Sequence, residues 1–279
     1  MSERMRVISL YSGSGGNATY IRAAGTSILI DAGKSARALC TGLRRIGASP
    51  EELSAIFITH EHSDHVSALE VLTKKHSVPI HMVRGCGERF CEKKEIPLAD
   101  CVCLHPPVFS EQVGALTVTS FPTPHDSRAS VGYRITFSDE MGEHHIGFAT
   151  DIGYVTEEIR EGLFGCEAVV LESNHDVDML MRGPYPYDLK RRVASRRGHL
   201  SNRDCADFAA TLAANGTRGF LLAHISKENN VPELALDETR SAVSDPRVCI
   251  LAADPDLPVE LSLEEEGEED FDFEREMPL

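Results

Sequence analysis

The chain has 279 residues, of which 42% are hydrophobic, so it can form one large α/β domain or two small ones. Its formal net charge is −16, but the segment from Asp254 to Leu279 holds twelve acidic residues and one basic residue, which leaves −5 for residues 1–253. Such a charge does not exclude nucleic acid as a partner, because the local distribution decides that binding. No run approaches the roughly 20 apolar residues of a membrane span, and no signal peptide is evident. We therefore expect a cytoplasmic protein that does not contact a membrane.

In chain order, the first predicted elements are strands joined by tight connections. Residues 5–11, 18–22 and 26–30 read as strands, and the glycine-rich loop at 12–17 lacks the lysine of a nucleotide-binding loop. We expect this loop to be a hairpin connection, with substrate contact as the alternative. The next predicted elements are a helix over 34–46, a strand over 56–59, a helix over 66–75 and a strand over 78–82.

The second half of the chain repeats this alternation of strands and helices. Strands are predicted over 115–120, 131–137, 144–149, 168–171, 219–223 and 248–251, and helices over 155–163, 187–196, 202–214 and 233–242. Hairpins followed by strands that alternate with helices thus occur twice. That order predicts two packed sheets with helices on the outside.

The most informative stretch is His60-Glu61-His62-Ser63-Asp64-His65, which follows the predicted strand at 56–59. Imidazole and carboxylate groups are ligands for Zn²⁺ or Mn²⁺. His60 and His62 project the same way from extended backbone, whereas Asp64 and His65 begin a helix and can address a second ion. A polar turn with surface histidines is the alternative, but it leaves four ligand-type side chains in six residues unexplained.

Four other predicted strands lead directly into polar residues of the same type. These residues are His125, Asp151, Glu172 with His175 three residues later, and His224. Because sites in layered α/β folds gather at strand ends, we expect them to meet His60 at one edge of the molecule.

Taken in order, these motifs resemble the metallo-β-lactamase superfamily over about residues 5–252. The resemblance implies an α/β fold, the αββα sandwich, as a single domain over residues 1–253 with a dinuclear metal centre at one edge. It implies that His60, His62 and His125 hold one ion, that Asp64, His65 and His224 hold the other, and that Asp151 bridges them. Asp31 matches the aspartate that supports a ligand histidine in that family.

Finer motifs at 123–126, 172–176, 198–202 and 223–230 resemble the YycJ/WalJ subgroup, described as metal-dependent 5′-to-3′ DNA exonucleases. We accordingly expect a hydroxide between two Zn²⁺ or Mn²⁺ ions to attack a phosphodiester. The candidate catalytic residues are Asp64, Glu172 and His199. A pair of Glu172 and His199 would resemble the couple of ribonuclease Z and protonate the leaving oxygen. A helix cap is the alternative role for His199.

The segment from Arg182 to Arg203 contains seven basic residues and one acidic residue. Lysine and arginine contacts to phosphates supply most non-specific affinity for nucleic acid, and we favour DNA over RNA as the substrate. A solvated helix face is the alternative for this segment. The candidate substrate-binding residues are Asn17, His175, Arg182, Lys190, Arg191, Arg196 and Arg197.

Three other functions stay open: a phosphodiesterase of small molecules or cyclic nucleotides, a thioester or lactone hydrolase, and a binding protein without activity. The basic segment argues against the first, the leaving-group acid against the second, and an open two-metal site against the third.

Several further residues are expected to have no catalytic role. His76, His81, His105, His144 and His145 read as ordinary histidines, and the eight cysteines as free thiols, with a structural zinc site near residues 86–103 as the alternative. Residues 254–279 are expected to form a disordered acidic tail, with an unknown protein partner as the alternative.

Overall fold

The computed structural model describes residues 5–94 and 101–263. Fourteen strands lie in this range: β1 (Arg6–Tyr11), β2 (Ala18–Ala23), β3 (Thr26–Ile30), β4 (Ala55–Phe57), β5 (Ile80–Val83), β6 (Val102–His105), β7 (Ser110–Val113), β8 (Leu116–Thr123), β9 (Ser130–Asp139), β10 (Gly142–Ala149), β11 (Ala168–Glu172), β12 (Gly219–Ala223), β13 (Cys249–Ala252) and β14 (Val259–Leu261). They form two seven-stranded sheets, in the orders β14-β1-β2-β3-β4-β5-β6 and β13-β12-β11-β10-β9-β8-β7.

Helices cover the outer faces of the two sheets. They are α1 (Ala36–Arg45), α2 (Ser63–Val66), α3 (Leu69–Lys75), α4 (Arg84–Lys94), α5 (Glu157–Leu163), α6 (Val177–Arg182), α7 (Tyr187–Val193), α8 (Asn202–Ala213) and α9 (Pro232–Ala242). None of the helices within the described range is long and apolar enough to cross a membrane. The predicted αββα sandwich is confirmed.

Both sheets change from antiparallel to parallel pairing at their midpoint. Strands β14, β1, β2 and β3 pair antiparallel, and β3 to β6 pair parallel. In the second sheet β7 to β10 pair antiparallel, and β10 to β13 pair parallel. The carboxyl ends of the parallel strands therefore lie together at one edge of each sheet, where sites form in such folds.

The side-chain alternation of the strands divides the apolar residues among three clusters. Along β3, Ile28 and Ile30 enter the layer between the sheets, whereas Leu29 faces the helices outside the first sheet. Along β12, Phe220 faces the helices outside the second sheet and Leu221 enters the central layer. Successive side chains of a strand point to opposite faces, and both faces of these central strands are covered by apolar layers. Each strand therefore needs apolar residues at consecutive positions.

The structure contains strands and helices that the sequence pattern did not predict, and one predicted helix is divided into two. The helix predicted over 66–75 is two shorter helices, α2 and α3, while α4, α6, β6 and β7 are new. Strand β14 pairs with β1, and Arg6 binds Glu260 at 2.8 Å, so the sheet continues past the predicted domain boundary at residue 253. Residues 264–279 of the predicted tail lie outside the described residues. All eight cysteines lie in the described part of the chain, and no disulfide joins them there.

Candidate metal centre

The loop after β4 carries the first group of candidate ligands. It passes close to the segment before β2, because Asn17 N donates to Asp64 O at 2.7 Å, and to the chain that leaves β3, because Ala32 N donates to His65 O at 2.8 Å. Gly33 is required at this crossing, since a Cβ there would lie 1.5 Å from Asp64 O. The backbone of the loop is therefore fixed before any ligand binds.

Three acidic or histidine side chains of the centre stand on left-handed backbone. Asp31 after β3 has a φ of 63°, and Asp151 after β10 and His224 after β12 both have a φ of 56°. Residues other than glycine adopt this conformation at a cost, and such positions concentrate at functional sites. The sharp turn lets each side chain leave its strand end and enter the edge of the sandwich.

The structure brings all seven predicted ligands together. Ligand atoms lie within 4.8 Å of one another in each of four overlapping groups: His60, His62 and His125; His60, His65 and Asp151; Asp64, His65 and His224; and Asp151, Glu172, His199 and His224. Two of the groups lie within the two predicted ligand sets, and the group of His60, His65 and Asp151 joins the sets.

One ring nitrogen of His65 and one of His60 are occupied by hydrogen bonds. His65 Nδ1 lies 2.8 Å from Asp31 Oδ2, as predicted for Asp31, and His60 Nδ1 lies 3.0 Å from Thr59 Oγ1. Thr59 in turn donates from its backbone N to Asp31 Oδ1 at 2.9 Å. Because the Thr59 hydroxyl donates to Asp31 Oδ2 at 2.9 Å, His60 Nδ1 donates to Thr59 Oγ1, and His65 Nδ1 donates to Asp31. Nε2 is then the nitrogen of each ring that can present a lone pair to a metal.

Two candidate ligand histidines that follow strands of the second sheet are oriented by hydrogen bonds in the same way. His125 Nδ1 donates to Gly198 O at 3.2 Å, and His224 Nδ1 donates to Glu172 Oε1 at 2.9 Å. Nε2 of each ring then faces the centre, where His125 Nε2 is 3.8 Å from Asp151 Oδ1. Four of the five candidate ligand histidines are thus oriented by a partner outside the ligand set.

Glu172 joins this arrangement to His199. Its Oε1 also accepts from His199 Nδ1 at 2.8 Å, and its Oε2 accepts from the backbone N of Ile152 at 2.8 Å and of Leu200 at 3.1 Å. Burial raises the pKa of Glu172, but the charges and hydrogen bonds of His199 and His224 outweigh burial and lower it. The predicted pairing of Glu172 with His199 is present, and the same carboxylate also holds His224.

Two buried atoms indicate where positive charge belongs. Asp151 Oδ2 and His224 Nε2 find no hydrogen-bond partner among residues 5–94 and 101–263, although buried polar atoms are nearly always paired. Burial lowers the pKa of His224, but Asp151, Asp64 and Glu172 raise it to about 10. These carboxylates stabilise either a proton or a cation in the same place, and the donor set of imidazoles and carboxylates fits divalent ions.

Two cavities open onto the centre. One of about 150 Å³ is lined by His199, His224 and Asn174, and one of about 490 Å³ is lined by His62 and Asp64. Asp126 and Arg192 line both cavities and form an ion pair of 2.6 Å between Oδ2 and Nε. Arg192 belongs to the basic segment but was not among the predicted substrate contacts.

The predicted substrate-binding residues occupy different places. Arg197 donates to His125 O at 3.1 Å, Arg196 lies 4.0 Å from the centre of the Tyr154 ring, and both line a third cavity beside His125. Farther along the same surface, Lys190 donates to Met181 O, Arg191 lies over Tyr187, and Arg182 pairs with Asp178. The structure gathers Arg192, Arg196 and Arg197 beside the cavities, whereas Arg182, Lys190 and Arg191 do not line them.

Asn17 and His175 lie behind the ligands. Asn17 Nδ2 is 3.1 Å from His65 Nε2 and 3.4 Å from Asp64 Oδ2. His175 is only 3% exposed and lines none of the three cavities, and its carbonyl accepts from Asn202 N. This placement favours a supporting role for both residues.

Sequence reasoning missed the residues that hold the ligand loops. Ser12 Oγ accepts from His224 N at 2.8 Å, and Asn174 Nδ2 donates to His224 O at 2.8 Å. Asn230, a buried residue just before α9, donates from Nδ2 to Asn174 O at 3.1 Å. Serine and asparagine are common loop residues, so only their position next to His224 distinguishes them.

The chain is similar to known proteins over most of its length. The family model for the beta-lactamase superfamily domain matches residues 26–225. The chain is 34% identical over 230 residues to Exodeoxyribonuclease WalJ of Streptococcus pneumoniae, covering 81% of this chain and 83% of that protein. It is also 34% identical over 230 residues to Exodeoxyribonuclease YycJ of Bacillus anthracis, covering 81% and 84%. The crystal structure of the metallo-β-lactamase fold protein YhfI from Bacillus subtilis covers 92% of this chain and 100% of its own, with a TM-score of 0.68 and 17% identity.

Proposed function

The chain belongs to the metallo-β-lactamase superfamily and, within it, to the group of WalJ and YycJ, and from this premise we propose that it is a metal-dependent exodeoxyribonuclease. We propose that two divalent ions, Zn²⁺ or Mn²⁺, serve the reaction and that DNA is shortened from its 5′ end. Two relatives named exodeoxyribonuclease, each matched over most of its length, support the substrate class. The direction of cleavage rests on the family resemblance.

The single observation that carries the reaction type is the shared position of Glu172. Its Oε1 accepts from ligand His224 at 2.9 Å and from His199 at 2.8 Å, so a proton donor stands next to the candidate metal centre. Hydrolysis of a phosphodiester releases an alkoxide, which needs a proton as it leaves. A thioester releases a thiolate, which leaves without one. The pair therefore favours phosphodiesters over thioesters.

The ligand histidines and carboxylates determine what the ions would supply. Bound divalent ions would lower the pKa of a water molecule and offset the negative charge of the phosphate oxygens. His60, His62 and His125 would hold one ion, Asp64, His65 and His224 the other, and Asp151 has a carboxylate oxygen toward each set. Asp31 and Glu172 keep His65 and His224 in the tautomer that presents Nε2.

His199 would complete the reaction. Its Nδ1–H donates to Glu172, and its ring lines the cavity of about 150 Å³, so Nε2 is the nitrogen available to substrate. In our proposal the bond between phosphorus and the 3′ oxygen breaks as Nε2–H transfers its proton to that oxygen. Glu172 keeps the ring in place during this transfer without exchanging a proton itself.

Arginines beside the cavities support an extended anionic substrate. Arg192 lines two cavities, and Arg196 and Arg197 line the third. A small phosphodiester needs few phosphate contacts, whereas a DNA strand presents one charge per nucleotide along the surface. Contacts of this kind position the strand without reading its sequence.

A direct test uses protein stripped with a chelator and reloaded with Zn²⁺ or Mn²⁺. Duplex DNA carries a label at either its 5′ or its 3′ end, and an RNA duplex of the same sequence, a cyclic nucleotide and a thioester are assayed beside it. We expect early release of the 5′ label as mononucleotide, only in the presence of metal. His145→Gln, a substitution on strand β10 away from the three cavities, is the matched control for His199→Gln. Inert DNA with rapid cleavage of the thioester or the cyclic nucleotide would overturn the proposal.

A further inference from the structure

A second group of potential metal ligands lies away from the candidate catalytic centre. His81 stands on β5, His105 ends β6 and Glu111 lies on β7, and their ligand atoms are within 4.8 Å of one another. Strands β6 and β7 are the outermost strands of the first and second sheets. The group therefore spans the edge at which the two sheets meet.

The two imidazoles point at each other. His81 Nδ1 lies 3.0 Å from His105 Nε2, and the ring centres are 5.1 Å apart with 17° between the ring planes. Because 3.0 Å of the 5.1 Å between the ring centres lies between the two nitrogens, the rings lie edge to edge in nearly one plane. One lone pair and one proton, or one metal ion, must occupy the space between these nitrogens.

Two phenylalanines hold this geometry. Phe57 stacks on His81 with ring centres 4.5 Å apart, and Phe109 stacks on His105 at 4.1 Å. The rings on each side are within 17° of parallel. Neither imidazole can rotate far, so the two nitrogens are positioned in advance for a common ligand.

From this arrangement we propose that His81, His105 and Glu111 bind one Zn²⁺ ion that ties the edges of the two sheets together. In tetrahedral zinc sites with bonds of about 2.0–2.1 Å, two ligand nitrogens stand about 3.3–3.4 Å apart. Opening the pair from 3.0 Å requires a movement of only a few tenths of an ångström. The candidate catalytic ligands His60 Nε2 and His62 Nδ1 are also 3.0 Å apart.

The chemistry of the neighbourhood agrees with a metal. His81 Nδ1 and His105 Nε2 are imidazole nitrogens, a ligand type that Zn²⁺ prefers. His81 is 4% exposed, and Glu111 adds the charge of a carboxylate to the two imidazoles. A divalent ion would offset that charge at a place where water offers little screening.

Cys103 is the candidate fourth ligand; its thiol lies outside the group of three whose ligand atoms are within 4.8 Å of one another, so it would turn toward the ion on binding. It pairs with His81 across the β5–β6 ladder and stands on the same face of β6 as His105. One thiolate and one carboxylate would neutralise Zn²⁺, which suits a partly buried closed site. The ion binds here by displacing the thiol proton.

The site is tested by counting zinc in variants that separate the two centres. Asp151→Ala removes the carboxylate that joins the candidate catalytic ligand sets, and this variant should retain one tightly bound Zn²⁺ per chain after gel filtration. Adding His105→Gln or Glu111→Gln to it should reduce bound zinc at least tenfold, measured by mass spectrometry of the metal. His145→Gln in the same background is the control and should leave one zinc per chain.

A second readout does not depend on the count. Co²⁺ bound to the Asp151→Ala protein should give a thiolate charge-transfer band that Cys103→Ser removes, while circular dichroism stays unchanged. His105→Gln alone should leave hydrolysis of DNA within about twofold of the parent, because the rings that His105 contacts within the described residues are those of His81 and Phe109. Equal zinc content with and without His105, or no zinc in the folded Asp151→Ala protein, would reduce the pair to an ordinary hydrogen bond and overturn the proposal.

Discussion

The two histidine pairs of this protein have the same spacing in different surroundings. His60 and His62 lie on a loop at the end of β4, next to a cavity, and His81 and His105 lie on neighbouring strands between phenylalanines. Both pairs have nitrogens 3.0 Å apart. The difference is access within the described residues, since His62 lines a cavity and neither His81 nor His105 lines any of the three cavities at the centre.

This contrast explains why each pair is oriented in its own way. The candidate ligands at the strand ends depend on hydrogen bonds that His65, His60 and His224 make to Asp31, Thr59 and Glu172. The pair within the strands depends on ring stacking and on the register of the parallel ladder. A catalytic centre needs an open coordination position held by a second layer of hydrogen bonds, whereas a structural site can be closed by rigid packing.

The largest expected effect is on the candidate catalytic centre and leaves the site of His81 and His105 unchanged. Asp151→Ala should remove the ions held at the strand ends and lower turnover at least about 10³-fold, because several kcal/mol of charge stabilisation are lost with them. Metal content and hydrolysis of DNA are measured on the same preparation. If the substituted protein keeps its full metal complement, Asp151 is not a shared ligand.

The next effect distinguishes proton transfer from metal binding within the open centre. His199→Ala should lower turnover about 10²–10⁴-fold and leave metal content unchanged, since the loss is that of a general acid. A substrate with an activated leaving group, such as a nitrophenyl phosphodiester, should recover most of the rate. Loss of metal equal to that in Asp151→Ala would contradict the assigned roles.

A smaller effect tests the hydrogen bonds that orient the open centre. Asp31→Asn should weaken metal affinity about 10–100-fold, because it removes the carboxylate that accepts from His65 Nδ1. Asparagine tolerates the φ of 63° at this position, so the backbone turn should survive. Affinity is measured by titration against a fluorescent chelator. Unchanged affinity would show that the open centre, like the closed one, is held by packing.

Arg192, which lines two of the cavities, is expected to contact the phosphates of DNA. Arg192→Gln should weaken DNA binding and reduce the slope of log affinity against log salt by about 1. Arg247→Gln, which alters an exposed ion pair with Asp245, is the control and should leave the slope unchanged. Fluorescence anisotropy at several salt concentrations gives both values. An unaltered slope for Arg192→Gln would remove that residue from the DNA contacts.

The smallest effect concerns a histidine that belongs to neither pair. His144 donates to Glu167 at 2.8 Å and to Asp139 at 2.9 Å; burial lowers its pKa, but these carboxylates raise it above the ordinary value. Its contribution to folding is complete below about pH 6.5 and disappears as the pH rises through the folded pKa. His144→Gln should therefore cost less than about 1 kcal/mol at pH 5.5 and nothing near pH 9, measured by urea unfolding. An equal cost at both values would contradict this ion-pair role.

The fold was largely predictable because its signals are local. Apolar alternation identified most strands of both sheets, and ligand-type residues followed β4, β10 and β12 closely enough to predict a common edge. The elements that were missed have weak local patterns: β7 is only partly buried, and β14 is a three-residue strand in acidic sequence. Strand β14 exists because β1 supplies its hydrogen-bond partner, which no local pattern reveals.

The sequence by itself determined the identity and order of the candidate ligands, since residue type and position after a strand are properties of the chain. Only the tertiary structure decided which nitrogen each histidine presents, that Glu172 serves both His199 and His224, and that Arg192 lies beside both cavities. It also brought His81 and His105, 24 residues apart, into one plane. These features arise where separate segments pack against each other, and hydrogen bonds and ring contacts between distant residues leave no periodic trace in the sequence.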